Sequence, residues 1–394
     1  MSPEKRQYAP IDPPERILMA PGPCNLHPAV QRAAAAPLMG HMDPVLFQIM
    51  DDTIELLRYA FQTENGLTFS FPGTGGAGMV GSFLNVVEPG DRVVIGVGGV
   101  FAGRMVDVAA RLGADVKVVE TPWGKAVDAE DMRQAVRAHQ PKVVAVVHGE
   151  TSTGVEQPLG DIAKIAHEAG ALFLVDTVAT LGGVDVPVDK LGIDVCYSGS
   201  QKCLGAPPGL SPVTFNDRAV EAIRQRKSKP LDWYLDASML EKYWNKERVY
   251  HHTAPVLMIY ALREALRIVY EEGLEARFAR HSKCADGLVA GLQAMGLQLF
   301  ADPAVRLVSV TSVVVPEGVD DARVRGGLLN EFGIEIAGGL AAYRGRMWRI
   351  GLMGYSAQPK NVLLLLTALE TLLRRHGFKM QDGAGVAAAE KAFG

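Results

Sequence analysis

Apolar residues along the 394-residue chain follow two alternating patterns, short continuous runs and longer stretches with helical spacing. The short runs predict strands at 67–71, 92–97, 116–120, 142–147, 171–176 and 193–197. The longer stretches predict helices at 44–63, 102–113, 128–139 and 159–168, and another that is opened by the segment 73–78 and ends near Val87. Apolar strands that alternate with helices are typical of a parallel sheet covered on both faces, so the pattern predicts an α/β fold.

The same pattern divides the chain into four segments. Residues 1–16 are polar and rich in proline, which predicts an extended N-terminal arm, and residues 17–272 are expected to form a large domain. This domain ends with a long helix predicted at 253–272. Helices and two further strands, at 307–315 and 346–351, predict a smaller C-terminal α+β domain over 273–378. The final residues, 379–394, are rich in alanine and glycine and are expected to be a loosely held tail.

Composition excludes several classes of function. Hydrophobic residues make up 48% of the chain, and the net charge of −4 shows no basic excess, so neither nucleic acid nor a membrane is expected as a partner. Four isolated cysteines predict no zinc site or disulfide framework. No signal-peptide core is present at the N-terminus, and no apolar run reaches the roughly 18 residues of a membrane span. These features predict a cytoplasmic protein.

Lys202 lies in an unusual position for a lysine. It follows the strand predicted at 193–197 within a run of Ser, Gly and Gln, and a rigid Ala206-Pro-Pro-Gly209 turn comes after it. This placement suits a lysine whose amine forms a Schiff base with an aldehyde cofactor. A surface lysine in a turn is an equally open interpretation of this segment.

Asp176 ends a fully apolar predicted strand. A carboxylate there is costly unless it meets a positive partner, and ligands of α/β sheets gather at the carboxyl ends of strands. The alternative is a helix N-cap, but 177–183 is a poor helix start. A pyridine aldehyde needs both residues, since the lysine binds the aldehyde and the carboxylate keeps the ring nitrogen protonated.

The Gly73-x-Gly75-x-x-Gly78 motif allows two interpretations. It follows a predicted strand and opens a helix, as a dinucleotide-binding motif does. However, the next strand runs into Gly98 and Gly99 without the acidic residue that would hold a nicotinamide ribose. The glycines and Thr74 also suit a single phosphate at a helix N-terminus, which the presence of Asp176 and Lys202 favours.

Several other residues have a possible functional role beside an ordinary structural one. Phe101 follows a strand and is either a ring that stacks on a flat cofactor or a core aromatic. The segment 148–154 is a Ser/Thr-rich turn whose hydroxyls could reach a ring oxygen. Tyr250 and Thr253 could bind a phosphate, or Thr253 could cap the helix that follows. Arg349, in an apolar strand, requires an anion, either a substrate carboxylate or an internal partner.

Together these segments resemble the class V aminotransferases of pyridoxal phosphate fold type I, and most closely the alanine–glyoxylate and serine–pyruvate aminotransferases. The matching segments run in order along the chain, from about 17 to 376. They are 21–23, 73–75, 148–154, 175–176, 197–209, 250–253 and 349–354. The resemblance implies a large domain with a mostly parallel seven-stranded sheet, a smaller C-terminal domain, a homodimer with active sites at the subunit interface, and pyridoxal 5′-phosphate as cofactor.

The resemblance also implies roles for individual residues. Lys202 binds the cofactor covalently, and Asp176 pairs with its ring nitrogen. Ser152 lies near the phenolic oxygen, and Phe101 takes the place of a stacking tryptophan. The phosphate ligands are Thr74, Gly75 and Gln201, with Tyr250 and Thr253 from the other subunit, and Gly76 also belongs to the cofactor site. Arg349, Gly22 and His41 contact the substrate.

The implied reaction moves an amino group from a small amino acid, alanine or serine, to glyoxylate or pyruvate by a ping-pong mechanism. Two departures from the family are Phe101 and Gly76, where some members have Trp and His. Ureidoglycine–glyoxylate aminotransferases are similar but tend to carry Gln and Asn at the positions of His41 and Tyr250. A lyase or desulfurase of the same fold and, remotely, a nicotinamide oxidoreductase remain alternatives.

Overall fold

The computed structural model describes residues 8–394, so 1–7 of the predicted arm lie outside the described residues. The strands are β1 (Ile17–Leu18), β2 (Leu67–Pro72), β3 (Arg92–Val97), β4 (Asp115–Glu120), β5 (Val143–Val147), β6 (Gly149–Glu150), β7 (Val155–Glu156), β8 (Leu172–Asp176), β9 (Val195–Tyr197), β10 (Leu210–Phe215), β11 (Val310–Val314), β12 (Ile334–Glu335), β13 (Ala337–Gly338) and β14 (Met347–Gly351).

The helices confirm most of the predicted helical stretches. They are α1 (Pro28–Ala34), α2 (Pro44–Phe61), α3 (Gly75–Val86), α4 (Val100–Arg111), α5 (Ala129–His139), α6 (Gly160–Glu168), α7 (Val188–Leu191), α8 (Asp217–Arg224), α9 (Ala237–Trp244), α10 (Val256–Glu272), α11 (Leu274–Ala294), α12 (Asp321–Phe332), α13 (Pro359–Arg375) and α14 (Ala384–Phe393). Local signals fix the starts of several of them: Asp43, for example, accepts from Val45 N at 2.8 Å, and Pro44 takes the first helical position.

A seven-stranded sheet in the order β2-β10-β9-β8-β5-β3-β4 forms the centre of the molecule. Six of its strands run in one direction, and only β10 is antiparallel to both of its neighbours. The mostly parallel sheet is therefore confirmed, and β10 is a strand that the sequence pattern left unassigned. Because β2, β3, β5, β8 and β9 point the same way, the residues that follow them meet at one edge of the sheet.

Two large buried clusters correspond to the sheet with its helices and to the C-terminal elements. The first cluster extends from Val30 to Leu266, and the second contains Met19 and residues between Cys284 and Ala389. The C-terminal part has its own antiparallel sheet, β11-β14-β13. β1 pairs with β12, so residues 17–19 pack with the C-terminal core rather than with the domain assigned to 17–272.

Two details of the predicted helices are wrong. The helix expected from Thr253 begins at Val256, because Pro255 disfavours helical backbone at the residue before it and takes the N-cap position itself. The expected loose tail, 379–394, contains α14, whose Ala389 is fully buried and whose Phe393 packs over Gly287 of α11. The alanine and glycine residues, which by composition predict a loose tail, instead allow α14 to approach α11 closely.

Within the described residues, no helix is both long enough and apolar enough to cross a membrane.

Candidate active site

A cavity of about 180 Å³ lies at the edge of the sheet where the parallel strands end. Its walls are formed by residues at or after the ends of β2, β3, β5, β8 and β9. They are Thr74, Gly75, Gly76, Met79, Phe101, Arg104, Gly149, Thr151, Asp176, Val178, Ala179, Gln201 and Lys202. The fold thus brings together seven of the residues that the sequence singled out.

The loop that carries Lys202 is tightly braced between β9 and β10. Ala206 N donates to Ser200 O at 2.9 Å, and Ser200 Oγ donates to Pro207 O at 2.5 Å, which closes the loop across the proline turn. A second brace comes from Cys24, whose N donates to Gln201 O at 3.2 Å. The lysine backbone is therefore held from both sides, as the Ala-Pro-Pro-Gly segment predicts.

The Lys202 amine points inward and donates to Pro21 O. Burial lowers the pKa of Lys202, and the nearby Arg349 charge lowers it further. Gly22 leaves the room for this side chain: its φ is +91°, and a Cβ there would lie 2.4 Å from Lys202 Cδ. The surface-turn interpretation of Lys202 is therefore wrong.

Asp176 is 3% exposed, and both of its carboxylate oxygens accept a hydrogen bond. Val178 N donates to Oδ1 at 2.8 Å, and the Tyr197 hydroxyl donates to Oδ2 at 2.7 Å. Burial raises the pKa of Asp176 to about 6, against the lowering effect of these two donors. The carboxylate lies in the cavity wall and not at a helix N-cap.

The glycine motif opens α3, whose first N–H groups have no acceptor within the helix. Thr74 occupies the N-cap position without making a side-chain cap, so its hydroxyl remains available. Gln201 lines the same cavity, and its amide Nε2 is the group that can donate to an anion. This end of the cavity has the features of an anion site.

Glu150 connects two of the predicted site residues. Its carboxylate accepts from Phe101 N at 3.0 Å and Ala102 N at 3.1 Å, at the start of α4, and from Ser152 Oγ at 2.6 Å. Val100 N donates to the same Ser152 hydroxyl at 3.0 Å. Ser152 is thus fully buried behind the cavity, while the neighbouring Thr151 lines it. The predicted contact of Ser152 with the cofactor stays a prediction.

Phe101 lines the cavity from the first turn of α4 and is half-buried. The guanidinium carbon of Arg104 lies 4.7 Å from the centre of its ring. A cation at this distance from an aromatic ring makes a favourable contact, which restrains the ring.

Arg349 lies on β14, whose backbone is buried beside the 148–154 segment. Its Nε donates to Gly338 O at 2.8 Å and its Nη1 to Thr151 O at 3.2 Å. No carboxylate of the described residues forms an ion pair with it, so the internal salt bridge considered above is not present. Burial lowers the pKa of Arg349, and its second terminal nitrogen has no bond to the described chain.

Three predicted residues do not reach this cavity within one chain. His41 and Tyr250 contact each other, with ring centres 5.1 Å apart, and Thr253 is exposed nearby in sequence. Tyr250 is 56% exposed. None of the three belongs to the cavity wall of the described chain.

The sequence analysis missed two side chains that hold this site together. Tyr197 was part of the matched segment but received no role, and Arg277 was not considered. Arg277, on α11, donates to Cys203 O at 2.6 Å and to Gly182 O at 2.7 Å, so it ties the Lys202 loop to the loop after β8. The sequence of α11 does not indicate that Arg277 is buried, because its position in the helix is an ordinary one for an arginine.

Comparison with known proteins decides the family. The model of the Aminotransferase class-V family matches residues 34–359. The chain belongs to the class V aminotransferases. It is 42% identical over 394 residues to the (S)-ureidoglycine–glyoxylate transaminase of Bacillus subtilis, covering 95% of each protein. It is also 42% identical to the alanine–glyoxylate aminotransferase of Callithrix jacchus, covering 95% of this chain and 91% of that one.

Solved structures support the same assignment. The alanine–glyoxylate aminotransferase from Nostoc sp. is 46% identical, with a TM-score of 0.93, over 95% of this chain and 99% of that chain. The ureidoglycine–glyoxylate aminotransferase from Bacillus subtilis is 43% identical, with a TM-score of 0.95. The expected fold is therefore confirmed, and this class V aminotransferase is an enzyme that depends on pyridoxal phosphate.

The cavity fits that cofactor. One end combines the N-terminus of α3 with the Thr74 hydroxyl and the Gln201 side chain, whose N–H and O–H groups suit a phosphate. Gly76 adds no side chain to this end of the cavity, and an added Cβ would be in ordinary contact with Thr74 Oγ1 at 3.8 Å. Lys202 and Asp176 line the same cavity and provide the amine and the carboxylate that a pyridine aldehyde requires.

Proposed function

We propose that this aminotransferase moves the amino group of a small amino acid, alanine or serine, to a small 2-oxo acid, glyoxylate or pyruvate. The observation that carries this proposal is Arg349, a buried guanidinium without a carboxylate partner in the described chain, placed close enough to Lys202 to lower its pKa. Such a guanidinium suits the carboxylate of a substrate whose α-carbon lies near the lysine. Relatives named as alanine–glyoxylate aminotransferases support the choice of substrates.

Lys202 and Asp176 perform the proton chemistry. Pyridoxal phosphate, when bound, supplies a ring that accepts electrons from the substrate α-carbon. Lys202 Nζ would hold the cofactor, and its amine, once free, would take the proton from the substrate Cα. The lowered pKa of Lys202 favours the neutral amine that this step needs. Asp176 would pair with the ring nitrogen and keep it protonated.

The remaining residues position cofactor and substrate. Thr74, Gly75, Gly76 and Gln201 would bind the phosphate through the N-terminus of α3 and polar side chains, and Phe101 would pack against the ring. Arg349 orients the substrate carboxylate. Gly22 keeps the space beside Lys202 open, so that the amine can move between Pro21 and the reacting carbon.

The functional unit in this proposal is a homodimer with active sites at the subunit interface. His41, Tyr250 and Thr253 do not reach the cavity of their own chain, although the resemblance assigns them to the site. They belong to a surface that exposes Leu38, Met42, Val45, Trp233 and Tyr250. A second copy that covers this apolar surface would bring the three residues to its partner's cavity. The cytoplasmic location stays a prediction.

The alternatives fit less well. A desulfurase requires an accessible cysteine, whereas all four cysteines are buried, and burial raises the pKa of Cys203 to about 12. A nicotinamide enzyme requires an acidic residue after β3, where the chain has Gly98 and Gly99. Ureidoglycine remains a candidate donor because the Bacillus subtilis relative is as similar as the alanine–glyoxylate enzymes are.

A donor panel with the purified holoenzyme tests the substrates. Alanine and serine should each convert the cofactor in a single half-reaction, and glyoxylate or pyruvate should reverse it. Ureidoglycine as the preferred donor would replace our substrate assignment.

Covalent trapping tests Lys202 independently of the substrate. Borohydride should attach the cofactor to a single peptide containing Lys202, detected by mass spectrometry. Lys202→Ala should abolish the adduct, while Lys227→Ala, on the exposed surface, should leave it intact. An adduct that survives in Lys202→Ala would refute the assignment.

A further inference from the structure

Tyr197 is a buried tyrosine that the proposed mechanism does not use. It ends β9 directly beside the end of β8, and Asp176 and Tyr197 are paired in the register of the two strands. Its side chain is fully buried, and its hydroxyl donates to Asp176 Oδ2 at 2.7 Å. Val178 N binds the other oxygen, Oδ1. The carboxylate is therefore held by one donor on each oxygen.

The last glycine of the motif at 73–78 provides space for this tyrosine. A Cβ on Gly78 would lie 3.2 Å from Tyr197 Cδ2 and 2.0 Å from Ser211 Oγ. Ser211 Oγ in turn donates to Ser198 O at 2.5 Å, one residue after the tyrosine. Gly78 thus serves the close approach of α3 to β9 and β10, a role distinct from the phosphate contacts of Gly75 and Gly76.

We infer that Tyr197 is a positioning residue that keeps the Asp176 carboxylate ionised and aimed at the ring nitrogen of pyridoxal phosphate. The inference rests on the role proposed above for Asp176. A hydrogen bond donated to a carboxylate favours its charged form, which opposes the effect of burial. Of the other charged groups that act on Asp176, Glu150 raises its pKa and Lys202 lowers it.

The phenol remains a donor throughout the working range of the enzyme. Burial raises the pKa of Tyr197 well above its ordinary value, and the Asp176 charge raises it further. The donated proton therefore stays on the tyrosine. This bond partly satisfies the negative charge of the Asp176 carboxylate and so makes it a weaker base. The proton that lies between Asp176 and the ring nitrogen therefore remains on the nitrogen.

Tyr197→Phe removes the hydroxyl and keeps the ring that packs against α3. Without the bond, Asp176 becomes a stronger base and draws the proton from the ring nitrogen. In holoenzyme reconstituted with ¹⁵N-labelled pyridoxal phosphate, the nitrogen resonance should move from the protonated toward the unprotonated position. We expect kcat to fall about tenfold and KM to stay within about twofold, since a bond to a charged group is lost and substrate contacts are kept.

Tyr260→Phe is the matched control. Its hydroxyl is also buried, has no hydrogen-bond partner in the described chain and lies on α10, so the nitrogen resonance and kcat should be unchanged. Site-specific 3-fluorotyrosine at position 197 offers a stronger donor in the same place. It should shift the resonance in the direction opposite to Tyr197→Phe, and it serves as the second test if the Phe variant does not fold.

Two negative outcomes are distinguishable. A wild-type resonance at the unprotonated position would show that Asp176 does not protonate the ring, which overturns both the proposed role of Asp176 and this inference. A protonated wild type whose resonance is the same in Tyr197→Phe over the full pH range would leave Asp176 in its role and refute that of Tyr197.

Discussion

Single charged side chains at this site are held by neutral donors and acceptors rather than by direct ion pairs. Lys202 bonds to a backbone oxygen, Arg349 to two backbone oxygens, and Asp176 to a backbone N–H and a phenol. Each group therefore keeps part of its bonding capacity for a ligand. Burial makes an unpaired charge costly. The unused hydrogen-bonding capacity of these groups therefore favours strong binding of a charged cofactor and substrate.

Gly22→Ala should impair the enzyme through Lys202. Alanine at φ +91° is strained by about 1–2 kcal/mol, and its Cβ would also lie 2.7 Å from Lys202 Nζ. We expect at least a tenfold fall in kcat/KM with a small fall in melting temperature. Gly90→Ala is the control, since Gly90 has a similar φ of +87° and open space around its Cβ. Equal activity loss in both variants would show that strain alone is responsible.

Helix α11 supports the active site at the level of elements. Arg277 ties it to the Lys202 loop, and His281 Nε2 accepts from Gly354 N at 3.0 Å while its Nδ1 donates to Arg277 O at 2.8 Å. These bonds require neutral His281. Helix α11 therefore joins the loop after β9 to the segment that follows β14, and β14 is the strand that carries Arg349.

This arrangement predicts an acid-sensitive contact. Burial, together with the charges of Arg277 and Arg280, lowers the pKa of His281 from 6.5 to about 3. Below pH 6.5 this histidine is protonated in the unfolded chain but stays neutral in the folded chain. The free energy of unfolding therefore decreases as pH falls from 6.5 toward 3. At about pH 5 the loss amounts to about 2 kcal/mol.

His281→Gln tests the contact. Between about pH 7.5 and pH 5, the melting temperature of the wild type should fall more steeply than that of the variant, because glutamine has no proton to take up. His376→Gln, at the partly exposed end of α13, should follow the wild type. Parallel curves for wild type and His281→Gln would contradict the assignment.

Helix α14 is an integral element of the C-terminal part. Ala389→Asp places a charge at a fully buried position and should lower the free energy of unfolding by roughly 2–4 kcal/mol, with protease cleavage before residue 384. Ala387→Asp, on the exposed face of the same helix, should change it by less than about 0.5 kcal/mol. Equal protease resistance in both variants would mean that α14 contributes little to the fold.

At the scale of the whole molecule, mixed dimers test whether two chains share each active site. Two variants should each have little activity by themselves: the single variant Lys202→Ala, and the double variant that combines Tyr250→Phe with Thr253→Ala. Coexpressed with different tags, they should form heterodimers with one complete site, which restores roughly a quarter of wild-type activity in a random mixture. Lys202→Ala mixed with Asp176→Ala is the control, because both residues lie in one chain's cavity and no site is complete. Absence of rescue in the first mixture would contradict the shared site.

Much of this site could be predicted from the sequence because its signals are local. Apolar strands end at Asp176, at Val97 and just before Lys202, and parallel strands bring their carboxyl ends to one edge whatever their order. The glycine turn before α3 is equally local. The chain segments that contain Lys202, Asp176, Thr74 and Phe101 therefore indicated a single cavity before any contact was known.

The tertiary structure alone decided the contacts between residues far apart in the chain. The bond of Tyr197 to Asp176, the clamp of Arg277 on the Lys202 loop and the pairing of β1 with β12 all depend on which strands and helices are neighbours. Periodicity reports only which face of an element is apolar, so it could not show that the Ser152 hydroxyl donates a hydrogen bond to Glu150 or that α14 is packed. Sequence by itself determined the chemical groups of the site, and folding determined their hydrogen-bond partners, because those partners come from distant segments whose proximity only the packed sheet and helices create.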